Sequence, residues 1–267
     1  MYTLDPEDIF KVYEEIKDDL KFITSSDIRA KIIISLKEGP KKLGDLKNEV
    51  HMRSSSILHS MSQLETKNLI TREFQSYSLS QTGEMAATVL IDIVNSFSLI
   101  KENKNFWLNH DINEIPEDLI RKIDDLSDFK VITYSISDLS EQSPFKELLL
   151  NCKVIKGIIP PLIIHDELEV VNKKEYIHFI LTNNSPNDII EKLKLQDISI
   201  TENIKLWKIK DNLKLILIVT DNFMLLNLPK FQEENSISYL ISKTEESIEW
   251  GNKLFNYYLS QAEKLNI

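Results

Sequence analysis

Cysteine, glycine and arginine are scarce in this sequence. Its 267 residues include one Cys, five Gly and four Arg, the last against 28 Lys. A lone Cys excludes a disulfide framework and any multi-cysteine zinc site, and it fits a reducing compartment. The glycines stand at 39, 44, 83, 157 and 251, so there is neither a phosphate-binding P-loop nor a dinucleotide fingerprint. The histidines, at 51, 59, 110, 165 and 178, never fall into H-x-x-x-H or H-E-x-x-H spacing. No G-x-S-x-G elbow occurs. No uninterrupted apolar run approaches the ~20 residues of a membrane span; stretches such as Leu215–Val219 are strand-sized. The opening MYTLDPEDIF carries acids where a signal peptide carries positive charge. The expectation is a soluble, cytoplasmic protein with no membrane partner. The excess of Lys over Arg, with abundant Ile and Asn, reads as genome composition.

What is present is a core. At 42% hydrophobic residues the chain has ample material for packing, and its length allows one large domain or two modest ones. The formal charge of −10 argues at first against a nucleic-acid partner. The charge is unevenly spread, however. Residues 25–90 hold nine Lys and Arg against seven Asp and Glu, a net of +2, leaving −12 for the remainder.

The first hundred residues read as helices with one hairpin. Asp5-Pro6-Glu7 is a helix start, with an N-cap acid, Pro at the first position and an acid in the first turn. Ile9, Tyr13, Ile16, Leu20 and Ile23 follow at spacings of 4, 3, 4 and 3, a coiled-coil-like seam. Ser25-Ser26-Asp27 recaps a second helix carrying Ile28, Ile32, Ile33 and Leu36, which ends at Gly39-Pro40. A short helix over Leu43–Val50, a turn at His51-Met52-Arg53 and a helix over Ser54–Thr66 come next. Leu69–Phe74 and Tyr77–Leu79 read as a hairpin about Gln75-Ser76. Thr82-Gly83 opens a long helix in which Ala86, Leu90, Ile93, Phe97 and Ile100 repeat the seam. This order is that of a winged helix-turn-helix with an added dimerisation helix.

On the helix Ser54–Thr66, helical spacing gathers Ile57, Leu58, Met61 and Leu64 on one inward face. Ser55, Ser56, His59, Gln63 and Thr66 lie opposite, short hydrogen-bonding groups of the kind that reach base edges and phosphates. Arg53 stands at the positive end of that helix, and Arg72 with the hairpin tip can reach an adjacent groove. Arg53, Ser55, Ser56, His59, Gln63 and Arg72 are therefore the candidate contacts to double-stranded DNA. The two seams, with Ile9, Ile16, Leu20, Ala86, Leu90, Ile93 and Phe97, are candidates for a homodimer interface.

From residue 108 the pattern changes. Strand candidates at 131–134, 154–159, 177–181, 206–209, 215–219 and 223–228 alternate with helix candidates at 145–150, 188–193 and 231–240. Pro116-Glu117-Asp118-Leu119 starts an amphipathic helix. A final helix is capped by Ser242 or Thr244 and carries Ile248, Trp250, Leu254, Phe255, Tyr258, Ala262 and Leu265. The fold class is thus a two-domain α+β or α/β chain. It joins a winged helix over 1–107 to an α/β layered, buried-sheet domain over 108–267 with a long terminal helix.

Two resemblances add to this. Arg29-Ala30-Lys31-Ile32, Leu43-Gly44-Asp45-Leu46, Leu64–Ile70 and Tyr77-Ser78-Leu79-Ser80-Gln81-Thr82-Gly83 resemble the winged-helix domains of the arsenical-resistance-repressor and multiple-antibiotic-resistance-repressor superfamilies. Phe106-Trp107-Leu108-Asn109-His110-Asp111, Ile115-Pro116, Lys156–Pro160, His178–Thr182, Val219-Thr220-Asp221, Leu225–Leu228 and Glu249–Tyr258 are the other landmarks. Their order and spacing resemble the methanogenesis regulatory protein family of methanogenic archaea. That resemblance implies a winged helix before a family-specific middle domain, and control of genes of methane-forming or one-carbon metabolism.

The second domain invites enzyme readings that fail on inspection. Ser143-Pro144-Phe145-Lys146 fits S-x-x-K but lacks companion motifs. His165-Asp166 with Cys152 could share a metal, yet Cys152 reads better as a buried thiol. No cofactor, metal or catalytic residue is expected, and the protein is read as no enzyme. A small-molecule effector is expected instead. Pro160 bends the chain at a strand end, and His178 and Trp207 offer a polar handle and an aromatic wall. The competing readings are a protein-interaction module without DNA affinity and an enzyme of unrecognised type.

Overall fold

The structure is a computed structural model that describes residues 5–135, 146–159, 174–182, 203–209, 213–232 and 236–265. It divides into two compact units, Met1–Asn95 and Ser96–Ile267.

The first unit contains helices α1 (Pro6–Thr24), α2 (Asp27–Leu36), α3 (Leu43–Val50) and α4 (Ser54–Thr66). Strands β1 (Lys41–Lys42), β2 (Ile70–Glu73) and β3 (Ser76–Leu79) form a small antiparallel sheet in the order β1-β3-β2. The caps are those the sequence predicts: Asp5 accepts from the Glu7 N–H and Ser26 from that of Arg29. His51 closes α3 in the left-handed region, at φ 55°. Ile32, Ile33, Leu36, Leu46, Ile57, Met61, Leu64 and Ile70 are buried together as one core.

Helix α5 (Gln81–Glu102) begins in this unit and runs past residue 95. By length and composition it is apolar enough to cross a membrane, although no uninterrupted apolar run within it is long. Its seam does not behave as one surface. Leu90 is buried with Ala87 in the winged-helix core, whereas Ile93, Phe97 and Ile100 are exposed beside Met85, Val89 and Val94. A strict 4, 3 repeat places these residues on one stripe, but a short core covers only the part of it within reach. On α1 no residue is buried, and Ile9, Tyr13, Ile16 and Leu20 remain exposed.

The second unit is built on an eight-stranded mixed sheet. Its strands are β4 (Lys130–Ser135), β5 (Val154–Ile159), β6 (Tyr176–Leu181), β7 (Ile204–Lys208), β8 (Ile216–Thr220), β9 (Met224–Asn227), β10 (Ser236–Ser242) and β11 (Glu263–Lys264). They lie in the order β11-β7-β6-β5-β8-β9-β10-β4. β5, β6 and β7 are parallel and the other pairings antiparallel. α6 (Lys104–Asn109), α7 (Glu117–Ile120), a 3-10 turn (Ile123–Leu126), α8 (Lys146–Leu150) and a closing helix α9 (Glu245–Leu259) complete the described part.

Alternation decides the faces. Ile155, Ile177, Phe179, Leu206, Ile216 and Ile218 enter one core. Ile158, Ile180, Leu217, Val219, Met224 and Leu240 enter the other, against Trp250, Leu254, Phe255 and Tyr258 of α9. Every residue of β8 is buried, as expected of a strand covered on both sides.

Two expectations are corrected here. The second half of the helix candidate at 231–240 is strand, part of β10, which lies between β9 and β4. Ile237, Tyr239 and Ile241 share one core while Leu240 enters the other, a period of two that the preceding polar residues disguise. The last helix stops at Leu259, and Glu263–Lys264 then pairs with β7, so Leu265 packs on the sheet rather than on a helix. The helix candidate at 188–193 lies outside the described residues.

Candidate functional site

Helix α4 follows the tight turn at His51 and is held by Ile57, Ser60, Met61 and Leu64, all buried. What remains outward is Ser55, Leu58, His59, Ser62 and Thr66, a stripe at spacings of 3, 1, 3 and 4. Arg53 occupies the N-cap position and is exposed. Arg72 is exposed on β2, its guanidinium carbon 5.3 Å from the Tyr77 ring centre, and Gln75 is exposed at the hairpin tip.

Two of the predicted contacts differ from this stripe. Gln63 is half-buried and its Oε1 accepts from the Arg29 guanidinium at 2.9 Å. Arg29 in turn donates to the Phe22 carbonyl at 2.6 Å and lies over the Phe22 ring, so Gln63 ties α4 to α2 and α1. Ser56 is half-buried beside it. Leu58, expected on the inward face with Ile57, Met61 and Leu64, is instead 44% exposed, because it stands about 100° round the helix from Ile57. Ser62, not among the candidate contacts, is exposed on the same stripe, and the 3, 4 spacing counted from Ser55 reaches both it and Leu58.

In the second unit, His178 and Trp207 do come together, with ring centres 4.6 Å apart and edge to face. Pro160 lies outside the described residues. The Tyr176 hydroxyl bonds to His178 Nδ1, and the Tyr176 ring lies 3.6 Å from the imidazole. His178 Nε2 is shut away from solvent without a hydrogen-bond partner. Strand register sets Lys156 and Lys205 on either side of His178. Lys156 Nζ donates to Asn252 Oδ1 at 2.6 Å, and burial lowers its pKa. Burial first, then the positive charges of Lys205, Lys156 and Lys264, push the His178 pKa down to about 4. The imidazole is neutral at physiological pH.

Two domain descriptions of the methanogenesis regulatory protein FilR1, its N-terminal and middle domains, match residues 17–98 and 142–261. The chain belongs to that family. A relative, the methanogenesis regulatory protein FilR1 of Methanothrix harundinacea (strain 6Ac), is 25% identical over 258 residues. The match covers 92% of this chain, which spans about 58% of that relative's length. Among solved structures, TrmBL2, an archaeal chromatin protein, is 16% identical with a TM-score of 0.41, covering 89% of this chain and 94% of its own. NucT from Helicobacter pylori is 12% identical with a TM-score of 0.37, covering 52% of this chain and all of its own.

The N-terminal family region thus runs from the end of α1 into α5, and includes all of α4 and the hairpin. In the middle region the one cysteine sits in the core. Cys152 is buried, its thiol donates to the Leu149 carbonyl at 3.1 Å, and burial raises its pKa. The buried Lys174 ammonium caps the same turn, donating to the carbonyls of Leu149, Leu150 and Cys152. His165 and Asp166, considered with Cys152 as metal ligands, lie outside the described residues. Among the described residues no cluster of three or more ligating side chains occurs.

The depressed His178 pKa has a testable consequence. The unfolded chain, with His near 6.5, binds a proton that the folded one refuses down to about 4. This part of the stability is complete above about pH 6.5 and declines as pH falls towards 4, at most about tenfold in the folding constant per pH unit. Urea midpoints between pH 6.5 and 4.5 are expected to fall less steeply for His178→Gln than for the parent. Parallel slopes would show that the imidazole is not the group responsible.

Proposed function

We propose that the protein is a dimeric DNA-binding transcription regulator whose second unit responds to a small-molecule effector. The observation that carries the DNA half is the outward stripe of α4, Ser55, Leu58, His59 and Ser62, behind the exposed Arg53. A hydroxyl, an imidazole and one apolar side chain on a helix held by its opposite face suit the major groove, where Leu58 would meet a thymine methyl. Arg72 and Gln75 on the hairpin would reach the backbone or the neighbouring groove. Membership of a regulatory family supports the same reading. With a net of only +2 over residues 25–90, affinity would rest on two copies acting together. The exposed apolar residues of α1 and α5, among them Ile9, Phe10, Ile16, Val89, Ile93 and Phe97, would supply the surface that joins them. Leu90, being core, would not.

A gel shift of the full chain on the upstream region of its own gene tests this. Changing Ser55, His59 and Ser62 together to Ala is expected to weaken binding by about 100-fold, at a few kcal/mol for lost base contacts, while the melting temperature holds because all three are exposed. Undiminished binding by the triple variant would overturn the assignment of α4. Ile93→Glu with Phe97→Glu is expected to give monomers and a similar loss.

A further inference from the structure

A cleft of about 560 Å³ lies wholly within the second unit, between the last turn of α5, α6, and strands β4 and β10. That volume suits a metabolite rather than an ion or a peptide. Phe106, His110 and Ser238 of its lining are buried. The His110 ring stacks on Phe106 with centres 3.9 Å apart, and its Nδ1 is bonded to the Phe106 carbonyl at 2.8 Å, which fixes the two rings against each other. Thr133 and Ser238 share a hydroxyl–hydroxyl bond of 3.0 Å across β4 and β10.

The rim is cationic. Lys101 and Lys104 are exposed along it, and half-buried Lys230 donates to the Ser236 hydroxyl at 2.9 Å. Among the described lining residues the one carboxylate is Glu102, which already accepts from the Ser98 hydroxyl at 2.9 Å. Apart from Phe106, Val131 and the His110 ring, the described wall is asparagine, hydroxyl and charge, so a ligand there meets a mixed polar and apolar surface. Two exposed ammonium groups, with Lys230 and hydrogen-bonding groups along the wall, are complementary to a small anion with a hydroxylated body.

We infer that this cleft binds a small polyhydroxylated anion, carrying a phosphate or a carboxylate, and that occupancy regulates the protein. The regulatory half rests on the function proposed above; the binding half does not. The coupling element is α5 itself. Lys101 stands in its last turn, where a cation favours the negative end of the helix, and Asn103 separates that turn from α6. The same helix contributes Ala87 and Leu90 to the winged-helix core. An anion that draws Lys101 and Lys104 together stabilises one arrangement of this helix end over others.

Calorimetric titration of the full chain with ribose 5-phosphate, gluconate and neutral ribose tests the proposal. One or both anions are expected to bind with a dissociation constant below about 1 mM, and ribose at least about tenfold more weakly. The two anions separate phosphate from carboxylate. Lys101→Met with Lys104→Met, both exposed and so neutral for folding, is expected to lower anion affinity by about tenfold or more. Absence of binding by either anion, ribose binding as well as they do, or equal affinity in the double variant would overturn the site. Gel shifts with and without the bound anion then test regulation. Unchanged DNA affinity would refute the coupling while leaving the site. No DNA binding under any condition would refute the proposed function instead.

Discussion

Gly83→Ala is expected to destabilise the winged-helix unit by on the order of 3 kcal/mol, the upper range for an overpacked contact. A Cβ at Gly83 would sit 1.8 Å from the Leu69 carbonyl oxygen and 2.9 Å from its carbon. The obstacle is backbone, and it is tied down. Ser80 N donates to the Leu69 carbonyl at 3.0 Å, and the hydroxyls of Ser80 and Thr82 both donate to the carbonyl of Asn68 at 2.5 and 2.8 Å. Gly83 N completes the knot by donating to Ser80 Oγ at 2.9 Å. Relief requires the start of α5 to move away from the turn that follows α4. A loss of this size lowers the melting temperature by upward of about 10 °C for a unit of about this length. Thermal melts would check it, with Gly44→Ala as control. Nothing lies within 4 Å of a Cβ at Gly44, which sits in α3, so that change is expected to be neutral or to stabilise by up to about 1 kcal/mol. Equal melting temperatures for the two variants would mean that the Leu69 turn yields at no cost.

Trp250→Ala is expected to cost about 3–5 kcal/mol in the second unit. Trp250 has no exposed surface, and it is the largest fully buried side chain. Its indole N–H donates to the Leu119 carbonyl at 3.0 Å, which joins α9 to α7. The neighbouring Gly251 lets α9 lie so close to the sheet that a Cβ there would meet Met224 at 2.6 Å and Val219 at 2.9 Å. With helix and strands held at that separation, the space left by an indole has little to fill it, so the cavity contribution adds to the lost transfer energy. Trp250→Phe separates the parts. It keeps most of the apolar area and removes one of two donors to the Leu119 carbonyl, which still accepts from the Lys122 N–H at 3.1 Å, for about 1 kcal/mol. Urea unfolding of both variants distinguishes them. An alanine variant no worse than the phenylalanine one would show that packing contributes little at this position.

These two positions also show what a sequence motif can and cannot say. The run from Leu64 to Gly83 was legible as a winged-helix signature, and the structure supplies its cause. Ser80, Thr82 and Gly83 are the types that allow α5 to press on the turn at Asn68–Leu69. The strands of the second unit were legible for a similar reason, since Val154–Ile159 and Ile177–Leu181 are apolar on both faces. Strand β10 was not. Ser236 and Ser238 interrupt its apolar residues, and its identity depends on β4 and β9 pairing on either side. In the candidate interface, Ser55, His59 and Arg53 could be read from helical spacing. The inward turn of Gln63 could not, because it depends on Arg29, 34 residues away. Leu58 stands about 100° round the helix from Ile57, at the edge of the apolar face, and the short winged-helix core does not reach it.

The scarcity of Cys and Gly by itself excluded disulfide and nucleotide-loop classes, and the helix caps with the two hydrophobic periods determined the winged helix and the mixed, sheet-rich remainder. Those features are set by local backbone preference and by the alternation of side chains along one element. Which residues of each element face outward was decided only by tertiary structure. The split seam of α5, the tie of Gln63 and the lysine-rimmed cleft all arise where one element ends against another. A residue's exposure there is a property of its neighbours in space, and the order of residues along the chain does not contain it.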